Sequence, residues 1–151
     1  MFNWSAKPLE LPKRLYTCDT LVSLVLINKM LVDIVSLPCL PSLTNLGLTY
    51  VVFKDEDSLH GLLSGCPILK KLHVKQNFED NVNIFNLKVS SLEILVYEYD
   101  TNDGRGDIRG SLVIDCPALK TIVVYDNTGD YCTIENTHRV EKASIIVVLP
   151  R

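Results

Sequence analysis

The chain has 151 residues, of which 47% are hydrophobic and 22% charged, and its formal net charge at pH 7 is −3. This length suits one domain, and this composition is typical of globular proteins rather than disordered ones. An acidic chain lacks the basic field that holds nucleic acid or an anionic membrane, and no apolar run reaches the roughly 18 residues of a membrane span. No signal-peptide pattern opens the sequence. We therefore expect a single domain with neither nucleic acid nor membrane as partner.

The cysteines argue against a disulfide framework. Their number is five, which is odd, their spacings are wide, and no Cys-x-x-Cys pair occurs. Structural zinc sites and small disulfide scaffolds both need clustered cysteines. We expect buried, reduced thiols, no metal site, and a cytoplasmic or nuclear location.

A leucine pattern recurs along the chain. The motif LxxLxL, with Ile, Val or Tyr allowed for Leu, begins at positions 21, 43, 69, 92 and 119, and a degraded copy begins at 140. The steps between these starts are 22, 26, 23, 27 and 21 residues. That period is typical of leucine-rich repeats. One copy would mean little in a leucine-rich chain, but a series in this spacing indicates a repeat architecture.

The motif has a physical reason. Its second half alternates, so it predicts a short strand with leucines on one face. One unit cannot bury that face alone, whereas stacked units pair their strands into a parallel sheet with a continuous core. Strands are predicted near residues 23–27, 45–49, 71–75, 94–98, 121–125 and 142–147.

The segments between the strands should return along the outer side. Residues 54–65 predict a helix capped by Asp55 or Asp57 and stopped by Gly65, and a similar helix is plausible at 12–17. Residues 110–115 predict a short outer strand instead. The returns would therefore alternate between helix and strand. The predicted fold is an α/β leucine-rich-repeat solenoid, an open horseshoe arc of about five to six repeats with its parallel sheet on the concave face.

The sequence resembles the leucine-rich region of plant F-box proteins, in particular the F-box/FBD/LRR group. The resemblance covers about residues 8–148 and is strongest in DEDSLHGLLSGCPILKKL and IDCPALKTIVVYD. It implies that the repeats hold a target protein, while an F-box docks on the adaptor of an SCF-type ubiquitin ligase. Only about ten residues, MFNWSAKPLE, precede the first repeat-like segment. We therefore expect neither an F-box nor an FBD module here, and contact with the SCF adaptor only if an F-box lies upstream.

The alternation also predicts which side chains a target would meet. On the central strands, Lys71, His73 and Lys75 form a basic spot, beside an apolar strip of Ile94, Val96, Val123 and Tyr125. An apolar strip rimmed by charge suits partner docking. The candidate partner-binding residues are Lys71, His73, Lys75, Ile94, Val96, Glu98, Thr121, Val123 and Tyr125.

The motifs of an enzyme are missing from the sequence. His60, His73 and His138 are scattered without ligand spacing, and Asp55-Glu56-Asp57 is a better helix start than a cation site. The sequence shows no nucleophile with a base and no phosphate-binding loop. We expect a protein-binding module with no catalytic residues, no cofactor and no metal. The alternative is a truncated or degenerate remnant of a receptor that does not bind a target by itself.

Overall fold

The computed structural model describes residues 8–34, 36–77, 84–100, 111–126 and 132–147. A 3-10 helix (Lys13–Thr17) lies between the first two strands, and the helix α1 (Glu56–Ser64) follows the fifth. The strands are β1 (Leu9–Glu10), β2 (Ser23–Ile27), β3 (Met30–Val32), β4 (Asn45–Thr49), β5 (Val52–Phe53), β6 (Lys71–Asn77), β7 (Ile84–Lys88), β8 (Ile94–Asp100), β9 (Ser111–Asp115), β10 (Thr121–Asp126), β11 (Cys132–Glu135) and β12 (Lys142–Val147).

The main sheet has six parallel strands in the order β12-β10-β8-β6-β4-β2. Each of the four inner strands therefore pairs with the strand of the preceding motif and with that of the next, and β2 and β12 are the edges. Inward side chains alternate with outward ones, and the inward leucines and valines of β4, β6 and β8 are almost completely buried. This arrangement pools the apolar positions of the first five LxxLxL motifs into one core, as the sequence pattern predicts. The inward positions of β12, Ala143 and Ile145, are exposed instead.

Every return segment contains a short strand. These strands form two smaller parallel sheets, with the orders β1-β3-β5 and β11-β9-β7. Val32, Phe53, Leu87 and Ile114 contribute to the same buried cluster as the main sheet, so the core lies between the main sheet and the returns. The α/β class with parallel sheets and few helices is confirmed. The predicted alternation of helical and extended returns is wrong, because the return with α1 also carries β5.

A tight turn precedes most strands of the main sheet and explains the repeated Cys-Pro. Leu69 donates its N–H to the carbonyl of Cys66 at 3.3 Å, and Leu119 donates to Cys116 at 3.0 Å. Leu43 bonds Leu40 in the same way at 3.2 Å. Proline occupies the second position of all three turns, where its fixed φ fits and no N–H is needed. The first and last residues of these turns are buried, which explains why they are apolar or cysteine.

Helix α1 lies where the sequence predicts it. The Asp55 side chain accepts hydrogen bonds from the N–H and the hydroxyl of Ser58, both at 2.8 Å, and thereby caps the helix. Gly65 ends it, but with φ −80° rather than in the left-handed conformation of a glycine cap. A Cβ at Gly65 would lie 2.5 Å from the carbonyl oxygen of Pro38. Close approach of the chain at Pro38, and not backbone conformation, therefore requires glycine here.

The other predicted helix, at 12–17, is the 3-10 helix. It buries Tyr16 and half-buries Leu15. In the part of the chain that the structure describes, no helix is both long and apolar enough to cross a membrane.

Candidate partner-binding face of the main sheet

The outward face of the main sheet carries three rows of side chains, each with one residue from every strand. The strand register fixes these rows. The first row is Ser23, Asn45, Lys71, Ile94, Thr121 and Lys142; the middle row is Val25, Gly47, His73, Val96, Val123 and Ser144; the third row is Ile27, Thr49, Lys75, Glu98, Tyr125 and Ile146. All nine predicted partner-binding residues therefore lie on this one face.

The predicted apolar strip is continuous at its centre. Val96 and Val123 are partners in register in the middle row, and both are half-buried. Ile94 lies in the first row and Tyr125 in the third, and both count as exposed. The strip thus runs diagonally across β8 and β10, with valines in the centre and larger side chains at its two ends.

The sequence interpretation missed a more exposed apolar area on the neighbouring edge. Val25 is 60% exposed and Ile27 is 52% exposed, although both belong to the same outward rows. The alternation of β2 alone was sufficient to identify them as outward. What it could not provide was their exposure, which depends on the small neighbour Gly47 and on the position of β2 at the sheet edge.

The predicted basic spot is partly neutralised. His73 and Glu98 form a diagonal cross-strand pair, with 2.8 Å between the imidazole Nε2 and a carboxylate oxygen. Lys75 lies over the ring of Tyr50, with its Nζ 5.7 Å from the ring centroid, a geometry that favours a cation–π contact. Lys71 is exposed. The cluster is therefore two lysines flanking a histidine–glutamate pair, rather than three equivalent cations.

A second charged group lies where the strands begin. Lys120 donates a hydrogen bond to the Glu93 carboxylate at 3.2 Å, and the Nζ of Lys70 is 3.9 Å from the same oxygen. The hydrogen bond from Lys120 and the two positive charges lower the pKa of Glu93. These residues hold the same position in successive motifs, directly before each strand. Aligning the motifs would have revealed this row, because lysine and glutamate alternate in it.

The cysteines do not contribute to the face. Burial raises the pKa of Cys66 to about 11 and also raises that of Cys116, so these thiols are poor nucleophiles. Their Sγ atoms lie 3.3 Å from the carbonyl oxygen of Leu62 and 3.5 Å from that of Leu87 respectively. The prediction of buried thiols holds for these two and is wrong for Cys39 and Cys132, which are exposed. Within the described ranges, no group of three or more His, Cys, Asp or Glu side chains could hold a metal ion.

The geometry of this face suits recognition of a polypeptide. It combines exposed and half-buried apolar side chains with lysines at fixed positions, and both kinds of group stand on paired strands rather than on loops. Protein-binding surfaces combine apolar contact area with a polar rim in this way.

The chain is similar to plant proteins with leucine-rich repeats. The family model described as FBD-associated F-box protein At5g56370, LRR repeats, matches residues 1–149. The F-box/FBD/LRR-repeat protein At1g22000 of Arabidopsis thaliana is 46% identical over 158 aligned positions, which cover 94% of this chain and 34% of that protein. The F-box/FBD/LRR-repeat protein At5g56420 of the same species is 37% identical over 94% of this chain and 33% of its own length.

The chain spans about a third of the length of these relatives. No solved structure gave a significant match. The family match over nearly all residues confirms the resemblance inferred from the repeats, and it agrees with the parallel sheets of the structure. The chain therefore belongs to the leucine-rich-repeat family of the FBD-associated F-box proteins.

Proposed function

We propose that this chain is a protein-binding module that holds a target polypeptide on the outward face of the main sheet. Within a longer receptor, it would be the substrate-recognition part of an SCF-type E3 ubiquitin ligase F-box protein. The observation that carries the proposal is the pair Val96 and Val123, adjacent in the centre of a face that also exposes Ile94 and Tyr125. Apolar side chains grouped on one rigid surface and bordered by charge favour partner binding.

The proposal includes the architecture. We infer that the strands of the main sheet form an open solenoid of about five to six repeats, with the outward face on its concave side. The family match and the parallel pairing of strands in chain order support this inference. We also propose a cytoplasmic or nuclear location, which agrees with two buried thiols that lie against carbonyl oxygens rather than each other.

An alternative has its own support. The inward positions Ala143 and Ile145 of β12 are exposed, whereas the corresponding residues of the other strands are buried. An apolar surface of this kind suits a unit that is one part of a larger receptor and that does not bind a target by itself. This reading predicts that variants on the outward face leave every interaction unchanged.

Quantitative affinity purification from plant extract separates the two readings. The wild-type chain is compared with Val96→Glu, which places a charge in the centre of the face. Val22→Glu is the matched control, because Val22 is exposed but lies outside the three rows. A partner that Val96→Glu loses and Val22→Glu retains supports the proposal. Partners retained equally by all three proteins would contradict it.

The mass of the endogenous protein tests the ligase role. Antibodies or peptides from the region between Lys70 and Lys120 detect it by immunoblot or mass spectrometry. A species well above 17.0 kDa that co-purifies with the SCF adaptor supports a target-holding role in a ligase receptor. A species at 17.0 kDa that does not bring down the adaptor would contradict that role and leave a free binding module.

A further inference from the structure

Gly47 lies in the interior of β4, where glycine needs an explanation. Glycine in a strand loses more conformational entropy on folding than alanine does and is therefore destabilising. Two internal reasons can require it: a left-handed backbone or a lack of space. The φ angle of Gly47 lies outside the left-handed region. The atoms nearest to a Cβ added there would be those of the Val25 side chain, at 3.5 Å, which is an ordinary van der Waals distance.

Gly65, directly after α1, shows the contrast with Gly47. At Gly65 an added Cβ would lie 2.5 Å from a carbonyl oxygen, so the fold itself excludes a side chain. At Gly47 the fold leaves room for a Cβ. Glycine inside a strand often marks a bulge, a tight bend, or a place where a ligand or another chain approaches closely. The register of β4 with β2 and with β6 is unbroken through Gly47, which argues against a bulge. Because neither internal reason applies at Gly47, contact with another molecule is the explanation to test.

The missing side chain leaves a hollow in the middle row. Val25 of β2 and His73 of β6 are its neighbours in register, on opposite sides. Val25 is strongly exposed and forms an apolar wall, which Ile27 extends along the same strand. His73 is held in place by Glu98 and forms a polar wall. The hollow is thus open to solvent, apolar on one side and polar on the other.

The charges around the hollow specify the partner further. Among the described outward positions of the three rows, the lysines are Lys71, Lys75 and Lys142, and the only acidic residue is Glu98. The whole chain carries a net charge of −3, so the cations are concentrated on this face against the overall balance. Lys71 and Lys75 pair in register with Asn45 and Thr49, the outward neighbours of Gly47 on β4. Both lysines therefore lie on β6, diagonal to Gly47, one before His73 and one after it along the strand.

We propose that the hollow at Gly47 receives a bulky apolar side chain from an extended, acidic segment of the target protein, whose carboxylates lie against Lys71 and Lys75. This inference rests on the proposed function and adds the chemistry of the partner. Opposite charge across the contact fixes register and partner choice, and a buried apolar anchor supplies the affinity.

The test begins with a phage-displayed library of random 12-residue peptides, selected on the full chain. The expected consensus is one aromatic or large aliphatic residue flanked by Asp or Glu. The selected peptide is then synthesised with a fluorophore, and its affinity for variants is measured by anisotropy. A consensus without acidic residues, or no enrichment at all, would overturn the inference.

Filling the hollow is the decisive step. Gly47→Val should weaken binding at least tenfold while leaving the melting temperature equal or higher, because valine suits a strand better than glycine. Gly47→Ala should have an intermediate effect, and its single methyl fits even if the valine variant folds poorly. Lys71→Gln with Lys75→Gln should weaken binding and reduce its dependence on salt. Val22→Phe adds bulk at an exposed position outside the three rows and should change nothing.

The outcomes distinguish failure of the proposed hollow from failure of the proposed protein-binding function. If Val96→Glu abolishes peptide binding and the Gly47 variants do not weaken it, the face binds peptides and the hollow is irrelevant. If neither Val96→Glu nor the Gly47 variants weaken binding, both proposals fail. A single-stranded 12-nucleotide DNA that binds as tightly as the peptide, and is lost with the lysines, would show recognition of any polyanion and overturn the peptide assignment.

Discussion

The two edge strands of the main sheet bury their inward side chains to very different degrees. On β2, Leu26 is 4% exposed, whereas Ile145, which occupies the same row on β12, is 56% exposed. Both strands have a neighbour on one side only, so pairing does not explain the difference. Leu11 and Tyr16, from the segment before β2, belong to the buried cluster that contains Leu26. No described residue covers β12 in the same way.

The contrast shows what a repeat motif does and does not encode. The pattern LxxLxL places apolar side chains on one side of a strand, and it does so in both edge strands. Burial of those side chains needs a further layer, since each repeat supplies a surface that only a neighbour or a cap can cover. The segment from β1 to the 3-10 helix acts as such a cap for β2.

The largest effect should come from comparing the centre of the sheet with β12. Leu48 lies in the same inward row as Ile145 and is 1% exposed. Leu48→Ala should lower the free energy of unfolding by about 3 kcal/mol, because it leaves a cavity in the core. Ile145→Ala should cost less than about 0.5 kcal/mol, as expected of an exposed position. Urea unfolding followed by circular dichroism measures both, and equal losses would mean that β12 is covered in solution.

Removing the cap should make the β2 edge resemble β12. Leu11→Ala, at a site 5% exposed, should lower the free energy of unfolding by about 2 kcal/mol. It should also increase hydrogen exchange in β2 more than in β8. Leu9→Ala is the matched control because Leu9 is largely exposed and its loss should be small. Similar effects from the two substitutions would show that the cap does not stabilise this edge.

The uncovered edge should promote self-association. Residues 143–147 of β12 carry no charge, and an unpaired edge with exposed apolar side chains is a template for pairing with another copy. Sedimentation velocity should show oligomers that grow with protein concentration. Ile145→Lys should weaken this association about tenfold, since a lysine opposes edge pairing. Ile27→Lys at the β2 edge is the control, and a monomer at all concentrations would contradict the prediction.

The smallest effect on stability is expected from Glu93, in the row of charged side chains directly before the main strands. The pKa of Glu93 is lowered in the folded state, so its ionised form stabilises the fold above the ordinary glutamate pKa. That contribution is lost as the pH falls through the lowered pKa. Glu93→Gln should therefore reduce stability slightly at pH 7 and not at pH 2. Thermal melts at both pH values test this, and Glu141→Gln provides a control at the β12 end.

Much of the fold was predictable because apolar residues alternate within each main strand and the motif recurs every 21 to 27 residues. The alternation around Leu46, Leu72 and Leu95 needs only a short sequence window, and neighbouring motifs then define the register. The returns were harder to predict. Segments such as β3 and β5 are two or three residues long, and so short an apolar run does not distinguish strand from helix.

The candidate site was predictable as a face but not in its details. Outward positions follow from alternation, so all predicted residues lie together. The pairing of His73 with Glu98 depends on side-chain conformations across a diagonal, which the sequence does not define. The alternation also identifies Gly47 as an outward position. Its meaning, however, depends on the 3.5 Å between an added Cβ and the Val25 side chain, and only coordinates provide that distance.

The alternation of the main strands has a consequence for how such a protein diversifies. Core residues and outward residues occupy different faces of the same strands, so an outward side chain can change without repacking the interior. Each strand contributes one residue to each outward row, so the residues of a row can be substituted one at a time. After gene duplication, point substitutions at outward positions can therefore change which molecules the surface binds while the core and the fold remain the same.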